Sequence, residues 1–314
     1  MKFKTFLKKY SYILGLAIFA ILLSKTNIGE IFQNIKNIKL NYLIFALLLT
    51  IPMLINKALC WNYIKRKQDI KYSLKDSFLM YCSGLYLGLL TPGRLGEISK
   101  AIYLKKDGHS TGKSLVGVVL DRLSDFAFLI SFVLIGSLFF FSEYKKESLI
   151  AIFGFIFLII IFWISVKIGL FKWFLNKLFN KLVPLKYQES WKINFQDFIN
   201  DIKNLKIKHW LVIFLITVFS WIFYYLQTFV IAKGLGINIP ILYFAISVTI
   251  AGLITLIPVS ISGIGTRDAA LLALFTPFAI SIENIITFSA LILLLSLFSA
   301  LIGLICWLIK PIKL

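Results

Sequence analysis

The sequence TPGRLGE at residues 91–97 interrupts an apolar stretch with a proline, two glycines, an arginine and a glutamate. A second interruption, PVSISGIGTRD at residues 258–268, contains the same kinds of residue. Hydrocarbon cannot solvate an open backbone or an ionised side chain, so such breaks normally occur only inside protein or beside a polar cavity. A membrane protein with two of them is expected to handle a polar or charged substrate.

The composition indicates a membrane protein. Of the 314 residues, 59% are hydrophobic and only 15% are charged, and the mean hydropathy is +0.88. A soluble domain of this length would contain far more charge, so we predict an all-α polytopic membrane protein. The formal net charge of +20 comes almost entirely from lysines in the connections, where they set topology and meet anionic headgroups. Nucleic acid is not an expected partner.

Metal and cofactor chemistry is not expected from this sequence. The three cysteines, Cys60, Cys82 and Cys306, have no paired spacing, and both histidines lie at the edges of apolar segments. This argues against a disulfide framework, a zinc site or a histidine-based acid–base centre. We therefore assign no cofactor, no metal ligand and no catalytic residue, and we do not expect an enzyme.

Six apolar stretches are long enough, or nearly so, to cross a bilayer core that needs about 20 residues. They cover residues 10–24, 41–62, 115–141, 149–166, 210–232 and 287–309. Two regions remain, 77–104 and 241–280, and each contains one interruption. Because their apolar arms are too short for two comfortable spans, each is predicted to be a re-entrant helical hairpin. Full short spans are the alternative.

The order of these elements predicts an inverted repeat. The halves, approximately 1–145 and 146–314, would each contain two spans, a hairpin and a further span, and the second copy would be upside down. Lysine-rich connections predict that both termini are cytoplasmic. The segment 167–208 has an amphipathic pattern that predicts two cytoplasmic helices in the headgroup layer, whose lysines are solvated or gather anionic lipid.

The two interruptions supply candidate structural turns, because proline ends a helix and glycine allows tight backbone geometry. These turn residues are Pro92, Gly93, Gly96, Pro258, Gly263 and Gly265. The acids Glu97 and Asp268 can complement the dipole of the helix that follows. Arg94 and Arg267 need planar anionic partners at this depth, either a carboxylate or a phosphate. Pairing with the nearby acids and contact with substrate both remain open.

A third charged cluster, DRLSD at residues 121–125, lies about two turns inside a predicted span. Asp121 and Asp125 share one helix face, and Arg122 lies within reach of Asp125. This face should point into the bundle rather than to lipid. A buried structural ion pair, a proton or cation relay and a headgroup contact are the alternatives.

The three motifs in this order resemble the flippase-like membrane domain of lysylphosphatidylglycerol synthases, over essentially the whole chain. That family's best-understood members move aminoacylated phosphatidylglycerol between leaflets. The resemblance implies a lipid flippase or scramblase in the plasma membrane of a bacterium or archaeon. Its substrate would be an anionic or aminoacylated phospholipid, or a polyprenyl-linked lipid. The alternative is a secondary transporter of a small anionic solute.

The substrate-binding candidates follow from this hypothesis. Arg94 and Arg267 would contact the headgroup phosphate, while nearby acids would balance them or hold an amine. The full set is Arg94, Glu97, Asp121, Arg122, Asp125, Arg267 and Asp268. No counterpart of the cytosolic aminoacyl-transferase domain is present, so synthesis of lysyl-lipid is not expected. The expected partners are membrane lipids, through a phospholipid or polyprenyl-phosphate headgroup, and a homo-oligomer is possible.

Overall fold

The computed structural model of the chain describes residues 15–91, 96–140, 145–182, 185–256, 260 and 262–312. Within these ranges the regular structure is helical throughout, which confirms the all-α polytopic prediction. The α-helices are α1 (Gly15–Ser24), α2 (Ile28–Asn37), α3 (Leu40–Lys67), α4 (Leu74–Leu89), α5 (Ser99–Lys106), α6 (Thr111–Phe140), α7 (Lys145–Lys167), α8 (Leu170–Leu182), α9 (Leu185–Asn204), α10 (Ile207–Gly234), α11 (Ile241–Thr255), α12 (Thr266–Phe275) and α13 (Ile282–Ile309).

Five of the described helices, α3, α6, α7, α10 and α13, are long and apolar enough to cross a membrane. They correspond to five of the six predicted spans. The predicted span at 10–24 differs, because α1 and α2 reach the required length only as a pair and are bent by 91°. The side chain of Asn27 accepts a hydrogen bond from the Gly29 amide and caps α2, so a new helix begins here.

Both predicted hairpins are helix–break–helix segments. The first break lies between α4 and α5, and the second lies between α11 and α12. Helix α12 packs against α11, as a hairpin requires, and also against α13, whereas α5 packs against α6. Four of the predicted turn and site residues lie outside the described residues, namely Pro92, Gly93, Arg94 and Pro258.

At the predicted turn residue Gly96, the backbone lies in close contact with the end of α4. A methyl group on Gly96 would collide with the Leu87 carbonyl. The Gly96 amide donates to Thr91 Oγ1 at 2.6 Å, and the Thr91 hydroxyl donates to the Gly88 carbonyl at 3.1 Å. In the second break, Gly263 and Gly265 have φ angles of +81° and +84°, in the left-handed region that glycine adopts most readily.

The chain forms two compact units, each built from separate stretches of sequence. Unit 1 comprises Met1–Ala58, Phe78–Glu97 and Val218–Pro311, and unit 2 comprises Leu59–Ser77, Ile98–Thr217 and Ile312–Leu314. Each unit therefore contains segments from both predicted halves. The order of a long helix, a broken segment and a long helix occurs twice, as α3 to α6 and as α10 to α13. The inverted repeat itself stays a prediction.

The core of unit 1 contains aromatic residues from α11, α12 and α13. Phe244 lies 6.1 Å from Phe275 and 5.6 Å from Phe288, between ring centroids. All three side chains are completely buried. Packed rings stabilise this core through van der Waals and ring–ring contacts, since surrounding lipid would be as apolar as the rings themselves. This core holds α12, and with it the second charged motif, against the last span.

The core of unit 2 joins α3, α6, α9 and α10 through buried aliphatic side chains. Helices α8 and α9 occupy the segment predicted to lie in the headgroup layer. At the end of α9, however, Ile199 and Ile202 are buried, because α9 packs against α6. Protein rather than lipid covers this part of the apolar face. The cytoplasmic location of the segment stays a prediction.

Candidate functional site

Arg267 is a buried cation in unit 1, at the start of α12, with 7% of the residue exposed. Its Nε donates to Ser289 Oγ at 2.7 Å and its Nη2 donates to the Ser289 carbonyl at 2.9 Å. Its Nη1 donates to the Ser262 carbonyl at 3.4 Å. Ser289 lies on α13, so the guanidinium ties α12 to the last span. All three hydrogen bonds go to neutral oxygen atoms.

Asp268 serves as a helix cap rather than as the contact partner of Arg267. Its Oδ2 accepts a hydrogen bond from the Gly265 amide at 2.7 Å, at the N-terminus of α12. A carboxylate at this position also complements the helix dipole. Among the described residues no ion pair joins Arg267 to an acid within 4.0 Å. The pairing of Arg267 with Asp268, which the sequence left open beside contact with substrate, is therefore not seen as a contact ion pair among the described residues.

Glu97 is buried in unit 1 beside the end of α4. Only 2% of the residue is exposed, and a methyl group on Gly88 would press against its side chain at 2.7 Å. Glu97 lies two residues before the start of α5, in the short 3₁₀ turn at 96–98. Its side chain therefore packs against the end of α4, within the first broken segment. Arg94 of the same motif lies outside the described residues.

The DRLSD cluster forms a buried ion-pair network in unit 2. Asp121 Oδ2 accepts from Lys100 Nζ at 2.9 Å and from Arg122 Nη2 at 3.2 Å. Arg122 Nη2 also lies 3.2 Å from Asp125 Oδ2. The side chains of Lys100 and Asp121 are fully buried, whereas that of Arg122 is 26% exposed. Lys100, at the start of α5, is a partner that the sequence analysis did not identify.

Two buried lysines lie beside one indole ring in unit 2. The Nζ atoms of Lys65 and Lys100 lie 4.4 Å and 5.3 Å from the ring centroid of Trp61. A desolvated cation–π contact contributes about 2 kcal/mol. A methyl group on Gly117 would collide with Lys65 Nζ, so this ammonium lies directly against α6. Trp61, Lys65 and Lys100 are all completely buried.

Gln68 connects Lys65 to an acid on α9. Lys65 Nζ donates to Gln68 Oε1 at 2.7 Å, and Gln68 Nε2 donates to Asp201 Oδ2 at 2.6 Å. The same amide group donates to the Lys113 carbonyl at 2.8 Å. Burial raises the pKa of the Asp201 carboxyl, while the hydrogen bond from Gln68 and the charges of Lys113 and Lys65 oppose this increase. The amide therefore joins three segments of unit 2.

Sequence reasoning missed Lys65 and Lys100 because both lie at the ends of apolar stretches, where lysine usually faces water. One signal was present. Trp61, Lys65 and Gln68 are spaced four and three residues apart and therefore share one helix face. Among the described residues, no group of three histidine, cysteine, aspartate or glutamate side chains could hold a metal ion.

Comparison with known proteins identifies the family. The family described as "Lysylphosphatidylglycerol synthase TM region" matches residues 10–303. The chain belongs to this family. The matched range includes both broken segments and the DRLSD cluster, so the resemblance that the motifs indicated is confirmed.

Two similar proteins come from Methanocaldococcus jannaschii. The UPF0104 membrane protein MJ1595 is 27% identical over 291 residues, which cover 88% of this chain and 85% of the relative. The UPF0104 membrane protein MJ1078 is 29% identical over 191 residues, which cover 60% of this chain and 78% of the relative. No solved structure matches the chain.

Proposed function

We propose that this protein moves an anionic lipid between the leaflets of the cell membrane, as a flippase or scramblase, and that it is not an enzyme. The substrate would be an anionic or aminoacylated phospholipid, or a polyprenyl-linked lipid. Membership of the lysylphosphatidylglycerol synthase TM region family supports a lipid substrate. The observation that carries the proposal is the buried Arg267 of the second broken segment, whose hydrogen bonds go to neutral oxygens.

A guanidinium that is buried without a contact carboxylate favours an arriving anion. Arginine has five N–H donors, and Arg267 uses three of them for Ser289 and Ser262 among the described residues. A phosphate accepts forked hydrogen bonds from a guanidinium and supplies the anionic contact partner that Arg267 lacks among the described residues. In this proposal Arg94 and Arg267 bind the phosphate while the acyl chains stay in the bilayer.

The acids have a second role in the proposal. Glu97 and Asp268 in unit 1, and Asp121 and Asp125 in unit 2, supply buried negative charge. In unit 1, Glu97 and Asp268 hold the amine of an aminoacylated or zwitterionic headgroup, and in unit 2 Arg122 contacts Asp121 and Asp125. Exchange of lipid down its concentration gradient then needs no chemical step.

The experiment is a lipid-movement assay with the purified chain in vesicles. Fluorescent phosphatidylglycerol is exposed to a reducing agent that quenches only the outer leaflet. The wild-type chain is expected to make the inner-leaflet label accessible. The Arg94→Ala/Arg267→Ala variant is expected to slow this by roughly tenfold or more, because each charged hydrogen-bonded contact contributes on the order of 1.5–3 kcal/mol. Arg66→Ala is the matched control, since Arg66 is exposed at the end of α3.

Folding is checked separately, because Arg267 also joins α12 to α13. Arg267→Lys keeps the charge and loses the forked geometry, so it should elute as a monodisperse species in detergent and still move lipid slowly. Full activity of the double variant would overturn the proposal, as would the absence of movement for phosphatidylglycerol, phosphatidylcholine and a polyprenyl phosphate alike. Uptake of a small anionic solute without lipid movement would instead indicate the secondary transporter.

A further inference from the structure

A cavity of about 430 Å³ lies in unit 2, where α7 ends, α9 ends and α10 begins. This volume falls within the range of about 300–1,000 Å³ that is usual for ligand pockets. The described residues that line it are Trp163, Val166, Lys167, Lys203, Leu205, Lys206 and Ile207. None of the described residues in the motifs assigned to lipid movement contributes to this lining.

The charged residues among the described lining are all basic, so we call this hollow the lysine cavity. Three of the lining residues are lysines, and none of those described is acidic. Ile207 is the first residue of α10, so the positive end of that helix dipole also lies at the cavity. Three lysines and a helix N-terminus at one hollow favour a compact anion with several oxygen atoms, such as a phosphate group.

The position of the lysine cavity, at the ends of two apolar helices, indicates headgroup level. Both α7 and α10 are long and apolar enough to cross a membrane, and the cavity lies where α7 ends at Lys167 and where α10 begins. Aromatic rings pack beside it, with Trp163 and Trp210 at 5.6 Å between ring centroids. Tryptophan is enriched at the boundary between hydrocarbon and water, which agrees with this placement.

The surface next to the lysine cavity is apolar and open. Ile168 and Leu170 follow α7 directly, and Leu211 lies one turn after Ile207 on α10. These side chains are between 50% and 69% exposed. A free phosphate makes no favourable contact with such an apolar surface, whereas a phospholipid can pack its acyl chains against it. Basic pockets between the ends of membrane helices are known to bind anionic lipid headgroups.

We propose that the lysine cavity binds one anionic glycerophospholipid, with its phosphate group between Lys167, Lys203 and Lys206. The acyl chains lie against the exposed apolar residues at the corner of α7 and α8 and on α10. All of the described residues that line the cavity belong to unit 2, on the side predicted to be cytoplasmic. This site does not depend on the proposed function, because holding a lipid here requires no movement between leaflets.

The experiment measures lipid binding to the full chain in detergent by native mass spectrometry. Phosphatidylglycerol, phosphatidylcholine and sn-glycerol 3-phosphate are titrated separately. The test variant is Lys167→Gln/Lys203→Gln/Lys206→Gln. The matched control is Lys105→Gln/Lys177→Gln/Lys208→Gln, which removes three exposed charges of unit 2 that do not line the cavity. Thermal unfolding without added lipid checks that both triple variants fold, as expected for exposed lysines.

Wild-type protein and the control variant are expected to retain phosphatidylglycerol in preference to phosphatidylcholine. The test variant is expected to bind phosphatidylglycerol more weakly by roughly fivefold for each lysine removed. Equal losses in the two triple variants would overturn the proposal, since they would indicate general surface charge. Equal binding of phosphatidylcholine, or binding of glycerol 3-phosphate as tight as that of phosphatidylglycerol, would also overturn it.

Discussion

Lysines and arginines occupy different kinds of position in this chain. Of the 34 lysines and arginines, only four are arginines, and three of these lie in the charged motifs at 91–97, 121–125 and 262–268. These three arginines could be identified as site candidates from the sequence, because each lies inside or beside an apolar stretch. The buried Lys65 and Lys100 were hard to find among 30 lysines, because the helix face that Lys65 shares with Trp61 is a weak signal in a single sequence.

Gly117 provides a test of the buried lysine. We expect Gly117→Ala to be less stable than Gly154→Ala by about 1–3 kcal/mol, because the added methyl group on α6 collides with Lys65 and lies 2.9 Å from the buried Trp61 ring. Gly154→Ala is the control, since nothing lies within 4 Å of a methyl group there and alanine favours the helix. Thermal and denaturant unfolding in detergent measure both. Equal stability of the two variants would contradict the placement of Lys65.

Helix patterns predicted which segments would be helical and amphipathic, but not what covers the apolar face. A repeat of apolar residues every 3.6 positions shows that a helix has one apolar face. It does not show whether lipid or protein covers that face. Ile202 fits the predicted headgroup-layer pattern of 167–208, yet it is buried in the core of unit 2. The bend of 91° between α1 and α2 was missed for a related reason, since span length and hydropathy carry no information on direction.

Ile202 also tests how α9 is held. We expect Ile202→Ala to lower the free energy of unfolding by about 2–5 kcal/mol, because it leaves a cavity between α9 and α6. Ile164→Ala on α7 is the control, because that side chain is 51% exposed. Unfolding in detergent gives the difference between the variants. A helix that merely lay on the headgroups would show the same small effect at both positions.

At the scale of the whole molecule, the sequence predicted the number and order of apolar elements well, because hydrocarbon imposes a minimum length on every span. The lysine-rich connections further predict that residues near 147 and near 203 face opposite sides of the membrane. The two compact units could not be predicted, since each is assembled from stretches far apart in the chain.

Cysteine labelling tests the predicted orientation. Glu147→Cys is expected to react with a membrane-impermeant maleimide on intact cells, because Glu147 is exposed at the start of α7 on the predicted outer side. Lys203→Cys is expected to react only after permeabilisation. The native Cys60, Cys82 and Cys306 are buried, so the wild-type chain should give little background signal. The reverse pattern of labelling would invert the topology.

The order in which the stretches of the two units occur along the chain has a consequence for biosynthesis. Apart from its last three residues, unit 2 is complete once Thr217 has left the ribosome, whereas unit 1 must wait for the final helix. Arg267 finds its Ser289 acceptors only when α13 has been inserted. During translation that guanidinium is thus without its partner helix, and chains stalled before Ser289 should be preferred targets of quality-control proteases.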